Sequence, residues 1–258
     1  MSQTLGLLDD ADHYYQRALP VFAKPLPAYR YARLQTLFSQ LSLYLECRLI
    51  AHSERVAAKV TAEFPGLLEA DAADAAKFLT YLASIAYQKR DYESAEALFR
   101  RALGEWNRIS GARGPEYASV LNQLALLEWK TNRNEPALRH LEMALEIHEQ
   151  SPHSNRGGYA RVLLNVGILR RETGLYRGAE AALLKARSLV QDLPGPGLAL
   201  EAHALEEYAI LLDQTDRKSE ARKARKMAQS VRARTTPADL TRHTVDIRTL
   251  AESSGTRR

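Results

Sequence analysis

The residues best able to do chemistry are few and scattered. Seven histidines, His13, His52, His140, His148, His153, His203 and His243, form no HExxH pair and no Cys/His cluster of zinc-binding spacing. The only cysteine, Cys47, lies in an apolar helical stretch, where a buried, inert thiol is the expected state. There is no GxSxG elbow, no GxxxxGK[ST] phosphate loop and no GxGxxG turn. Nothing here assembles a nucleophile, a base or a ligand set, so the expectation is a non-enzyme without metal or cofactor. Recognition chemistry is better supplied. Trp, Tyr and Arg are the types that most often anchor interfaces, and a basic run, Arg222, Lys223, Arg225, Lys226 and Arg232, stands near the C-terminal end.

Charge and cysteine content narrow the setting. From Asp216 onward twelve Lys/Arg face five Asp/Glu, a net +7, which leaves the preceding 215 residues close to −2. A nearly neutral body therefore carries a basic tail. One cysteine cannot close an intramolecular disulfide, which fits a reducing compartment. Met1–Asp10 lacks the basic flank and long apolar run of a secretory signal. No stretch of about 18 apolar residues exists to span a bilayer. A cytoplasmic location is expected.

The elements that position any site come from an internal repeat. Ala95, Ala137, Ala179 and Ala221 are each 42 residues apart, and seven residues after each stands another alanine, Ala102, Ala144, Ala186 and Ala228. Twelve residues before each first alanine lies a small residue, Ala83, Ala125, Gly167 and Ala209, preceded by the large Leu82, Leu124, Val166 and Tyr208. Seven residues is about two helical turns, so both alanines of a pair share one face. Small residues at fixed positions on two successive helices mark where the backbones approach. Polar tetrads such as Gln88–Asp91 and Lys130–Arg133 suit the tight turns inside each pair, and Gly/Pro-rich joints such as Ser110–Pro115 and Leu193–Gly197 stop helices between pairs.

This pattern resembles the tetratricopeptide repeat, with its large-small pair in the first helix and its Ala-x-x-x-Phe in the second. Ala95 to Phe99 matches the second element outright, and Ala137 to Leu141 and Ala179 to Leu183 match it with leucine. The 42-residue period and the run Val120–Leu127 are similar to the kinesin-light-chain type. The resemblance implies an all-α fold, a right-handed superhelical solenoid of antiparallel helix pairs, with four repeats over residues 75–234. Upstream, residues 1–74 are read as degenerate N-terminal helices. Residues 9–19 look like the second helix of a truncated repeat, and residues 27–63 keep the phase through Leu37, Leu41, Tyr44, Ala57 and Val60, although Ser53 replaces the alanine. Residues 235–258 are read as a basic tail, either docked in extended form, with Thr244–Arg248 alternating like a strand, or disordered.

The same resemblance implies where a partner would sit. First helices line the inner face of such a solenoid, with groove positions at fixed offsets from the small residue. They fall on Thr80, Ser84 and Tyr87 in the first copy, and on Asn122, Leu126, Trp129 and Lys130 in the second. The third copy contributes Leu164, Ile168 and Arg171, bordered by Arg161, and Asn165 occupies the place of a peptide-gripping asparagine. Thr80 and Ser84 stand where chaperone-binding domains carry a Lys and an Asn, which argues against a carboxylate clamp for a heat-shock-protein tail. The implied function is a protein-interaction adaptor or scaffold for a segment with an apolar anchor and an acidic group. Trp129 either lines that groove or packs between repeats, and the sequence leaves both open. Two rivals remain. The basic patch of Arg222, Lys223, Arg225 and Lys226 could bind nucleic acid, anionic lipid or an acidic partner, or merely solvate the last helix. Alternatively the chain is a structural subunit of a larger assembly. The repeat assignment itself predicts that Ala137→Leu destabilises by roughly 1–3 kcal/mol through overpacking; a denaturation midpoint equal to wild type would misplace the helix contact.

Overall fold

The structure, a computed structural model, describes residues 13–22, 27–111, 113–150 and 155–234. Ala11, the 151–154 joint and the 235–258 tail with its Thr244–Arg248 alternation lie outside the described residues. All regular structure within them is helical. Helix α1 occupies residues 13–21, followed by α2 (Pro27–Glu46), α3 (Ile50–Glu63), the short α4 (Leu67–Ala70), α5 (Ala72–Gln88) and α6 (Tyr92–Ser110). Then come α7 (Pro115–Lys130), α8 (Asn134–Gln150), α9 (Arg156–Glu172), α10 (Tyr176–Val190), α11 (Pro196–Gln214) and α12 (Lys218–Arg234). No described helix is long and apolar enough to cross a membrane. The chain divides into two compact units, residues 1–109 and 110–258.

Five turns set the register, and they are one turn repeated. Arg48, Arg90, Asn132, Gly174 and Asp216, each 42 residues after the last, all adopt left-handed backbone, with φ between 56° and 78°. The N–H of the following residue, Leu49, Asp91, Arg133, Leu175 or Arg217, bonds the carbonyl five residues back at 2.8–2.9 Å. The left-handed residue's own N–H reaches the carbonyl three back at 2.9–3.2 Å. This is the Schellman arrangement, which satisfies the orphan carbonyls of a helix end while reversing the chain. The next helix then starts in phase. Ser53, Ala95, Ala137, Ala179 and Ala221 each donate to the carbonyl of that same following residue, four back, at 3.0–3.1 Å. The phase therefore reaches back to Arg48. Ser53 fits the alanine slot because its hydroxyl turns back to the Leu49 carbonyl at 3.2 Å, and the residue is fully buried.

In unit 1, α1, α2 and α3 share a core of Leu19, Leu34, Leu37, Phe38, Leu41, Val56 and Val60, to which α5 adds Phe78 and Ile85. The Arg33 guanidinium ties three helices together. It pairs with both Glu63 oxygens and donates to the Leu19 carbonyl. Asp71 caps α5 by accepting from the N–H groups of Ala73 and Asp74 at 2.8 and 3.0 Å. Cys47 is half-buried, and burial pushes its thiol above the ordinary range, away from thiolate chemistry.

In unit 2 the pairs α7/α8, α9/α10 and α11/α12 pack side by side, with α8 against α9 and α10 against α11. The small positions carry the closest approaches. A Cβ on Gly167 would meet the Leu183 side chain at 2.7 Å and the Ala179 carbonyl at 3.4 Å. Second-helix positions fill the space between pairs. His148 is buried and stacks on Tyr159 of α9, ring centroids 5.5 Å apart and planes within 16°. Lys185 of α10 covers the same tyrosine ring at 5.0 Å and pairs with Glu149 at 2.9 Å.

Two outcomes are expected. Gly174 is left-handed, and an added Cβ there would meet nothing within 4 Å. Gly174→Ala should therefore cost about 1 kcal/mol from backbone strain alone, and Gly174→Val more, by urea denaturation; no loss would remove the strain argument. Burial holds the His148 imidazole below its ordinary value of 6.5. The unfolded chain then binds more protons, so this residue's contribution to stability falls as pH drops below that value. A stability–pH profile of His148→Phe should lack that component.

Candidate partner-binding face

Three first helices, α7, α9 and α11, build one face of unit 2, and α9 packs against both of the others. Polar contacts join them at a fixed spacing of 43 residues, one period plus one. Asn165 Nδ2 donates to Asn122 Oδ1 at 2.7 Å, Trp129 Nε1 to Glu172 Oε2 at 3.0 Å, and Arg171 Nη1 to Gln214 Oε1 at 3.5 Å. In unit 1 the same spacing places Gln88 Nε2 on the Leu45 carbonyl at 2.8 Å. The rise from one copy to the next thus offsets neighbouring first helices by one residue. Where side chains at those offsets can bond, they form rungs.

Burial separates the expected groove residues into two classes. Leu164 and Ile168 are 3% and 1% exposed, because α7 and α11 flank α9 on both sides. Leu126, Asn122 and Asn165 are also buried, the two asparagines bonded to each other. The continuous apolar strip expected from the sequence is therefore covered by the protein's own packing, and Asn165 spends its amide on Asn122. Left half-buried are Trp129, Lys130, Arg161 and Arg171. The first-copy positions lie on α5 in unit 1. There the Thr80 and Ser84 hydroxyls bond carbonyls of their own helix, those of Ala76 and Thr80, at 2.8 and 2.9 Å. Tyr87 is half-buried against Tyr92, ring centroids 5.8 Å apart, and burial drives its phenol well above the ordinary range.

The charges on this face are largely matched. Arg171 pairs with the buried Glu207 at 3.2 Å and lies 3.6 Å from Glu172. Desolvation raises the Glu172 carboxyl, and the nearby Arg171 charge and the Trp129 hydrogen bond oppose that rise. Glu207, which also lies 3.7 Å from His203, stands in phase with Asn165 in a fourth copy that the groove reading did not include. Its signal in the sequence is an acidic pair, Glu206-Glu207, where the earlier copies carry Asn122-Gln123 and Leu164-Asn165.

The basic patch also divides. Arg225 is ion-paired with Asp213 of α11, so it belongs to the helix pair itself. Arg222, Lys223 and Lys226 are exposed on the outer side of α12. Among the described residues no group of three or more His, Cys, Asp or Glu comes together to hold a metal ion.

Comparison with known proteins agrees with this geometry. Residues 74–150 match the family model of the tetratricopeptide repeat. No curated protein matches the sequence. Among solved structures, BtubC (BKLC) from P. vanneervenii superposes with a TM-score of 0.70 at 16% identity, over 89% of this chain and 91% of that one. Nearly identical TPR-like repeats of a kinesin light chain from Podosopora anserina give 0.60 at 13%, over 78% and 95%. The apo form of RapI gives 0.57 at 16%, over 88% and 92%. Residues 74–150 are thus tetratricopeptide repeat by family match, and the chain as a whole shares the paired-helix fold of these repeat structures.

Proposed function

We propose that the face of α7, α9 and α11 binds a segment of a partner protein, as an adaptor or scaffold does. The repeat fold supports a protein-interaction role in general. Trp129 carries the finer reading. It is a large aromatic left half-exposed, with its indole N–H fixed by Glu172 and its neighbours Lys130 and Arg171 cationic. A ring held in place before binding loses little entropy on contact and offers apolar area together with a polar edge. An apolar anchor of the partner would lie against that ring, and an acidic group would meet Lys130 or Arg161. Arg171, paired with Glu207, orients the rim. A cytoplasmic setting, in which Cys47 stays reduced, fits this role.

A second reading rests on the exposed cations Arg222, Lys223 and Lys226, which would bind an acidic partner, nucleic acid or an anionic surface through charge. A structural place in a larger assembly is the third.

The test compares three baits in affinity capture followed by binding measurements on the purified partner. These are the wild-type chain, Trp129→Ala, and Arg222→Glu/Lys223→Glu/Lys226→Glu. Trp129→Ala should weaken binding by about 2 kcal/mol with the helical circular dichroism unchanged. Binding lost only in the charge-reversed bait, with a steep salt dependence, would move the site to α12. Equal loss of fold and binding in Trp129→Ala would return that side chain to the core.

A further inference from the structure

The carboxylate that holds the Trp129 indole has a competitor for its charge beside it. Glu172 Oε2 accepts from Trp129 Nε1 at 3.0 Å, while Glu172 Oε1 lies 3.6 Å from Arg171 Nη2. That second contact is too long for a hydrogen bond. The same Nη2 donates to Glu207 Oε2 of α11 at 3.2 Å. One guanidinium thus stands between two carboxylates and bonds one of them. Its Nη1 reaches Gln214 at 3.5 Å, and among the described residues its buried Nε donates to none.

Burial decides which carboxylate it takes. The Glu207 side chain is 4% exposed and that of Glu172 is 38% exposed. Water can solvate Glu172 in place of a cation. Glu207 without Arg171 would leave charge buried and uncompensated, which costs several times what an exposed ion pair contributes. The 42-residue phase arranges equivalent positions in columns, and this arrangement occurs in one copy of the four over residues 75–234. Glu172 stands in phase with Gln88, Lys130 and Gln214, and Glu207 with Tyr81, Gln123 and Asn165. Each column holds one carboxylate there, and both carboxylates flank Arg171. Trp129 and Arg171 share a third column with Asp213, and each of the two reaches forward to the next first helix.

We propose that Glu207 is a positioning residue for Trp129: by engaging Arg171 it leaves Glu172 to hold the indole, on a helix that α9 separates from its own. The inference rests on Trp129 as the anchor of the binding face. With Glu207 neutral, the guanidinium closes the gap to Glu172, the one carboxylate left within its reach. Glu172 then turns from the neutral indole N–H to a charge-assisted pair, which is the stronger bond. The ring loses its tether, and with it the preorganisation that makes it an inexpensive contact.

The indole N–H signals in the nuclear magnetic resonance spectrum of the full chain test this. Trp106 and Trp129 are its two tryptophans, so Trp106→Phe assigns the signals. In Glu207→Gln the Trp129 N–H should exchange with water about fivefold faster, as loss of one hydrogen bond implies, with the Trp106 signal unmoved. Arg171→Gln/Glu207→Gln, which removes the competing cation as well, should return Trp129 to wild-type exchange. A folded Glu207→Gln chain with wild-type Trp129 exchange overturns the proposal. So does a double variant as perturbed as the single one, since Glu207 would then act on the fold alone. Should Glu207→Gln lose its helical circular dichroism, Glu207→Asn, the residue in phase at Asn165, decides by the same readout; loss of fold in both makes Glu207 a core residue and overturns the proposal. No partner is present in these spectra. Unchanged binding by Trp129→Ala would therefore remove the anchor reading while leaving the indole result in place.

Discussion

The left-handed turn between the two helices of each pair is the constraint on which the other features depend. It terminates one helix, reverses the chain and starts the next with a fixed count of residues. Only with that count constant do the small residues of successive copies fall opposite the same neighbours. Gly167 against Leu183 and Ala179 shows how little slack exists there. One residue more or less in a turn would rotate the following helix by about 100°. Alanines such as Ala179 and Ala186 would then leave the contact. The small residues and the turns are thus one requirement, expressed twice in each repeat.

The two halves of that requirement differ in how plainly the sequence shows them. A close helix contact admits only alanine, glycine or, as at Ser53, a small residue that satisfies its own hydroxyl, so the packing positions stand out as a periodic restriction on size. The left-handed position admits more. Arginine, arginine, asparagine, glycine and aspartate occupy it in turn, because the Schellman hydrogen bonds offset a strain that glycine alone would avoid. Those tetrads read simply as polar turns. The hydrogen bonds also explain why the phase extends to Arg48, where side-chain similarity had nearly vanished.

The face of α7, α9 and α11 follows from helix offsets, but its exposure does not. Offsets along a helix specify which way a side chain leaves its own axis, and nothing more. Whether it then meets solvent depends on the neighbours. Leu164 and Ile168 leave α9 at groove offsets, yet α7 and α11 stand close enough to bury them. Trp129 leaves α7 at the offset that Arg171 has on α9 and stays half-exposed near the helix end, where the indole finds Glu172. The rungs were equally hidden, since they join residues 43 apart in a sequence whose visible period is 42. That one-residue offset belongs to the packing of neighbouring copies, and no single repeat contains it.

Charge in this chain follows the same logic of neighbours. Net basicity near the C-terminal end suggested an electrostatic surface, but the cations of α12 differ in kind. Arg225 and Arg232 sit in columns that are apolar elsewhere, and carboxylates of α11 at forward-reaching positions balance them. Arg222, Lys223 and Lys226 are exposed, and Arg222 and Lys226 stand in phase with Glu180 and Glu142, whose carboxylates pair with the helix pair that follows them. A stack of identical pairs has no intrinsic stopping point, because each pair's outer face is made to accept the next. In α12 the inner side is kept, with Ala221, Ala224, Ala228 and Val231 buried against α11, while Arg225 and Arg232 turn to Asp213 and Glu206 of that same neighbouring helix.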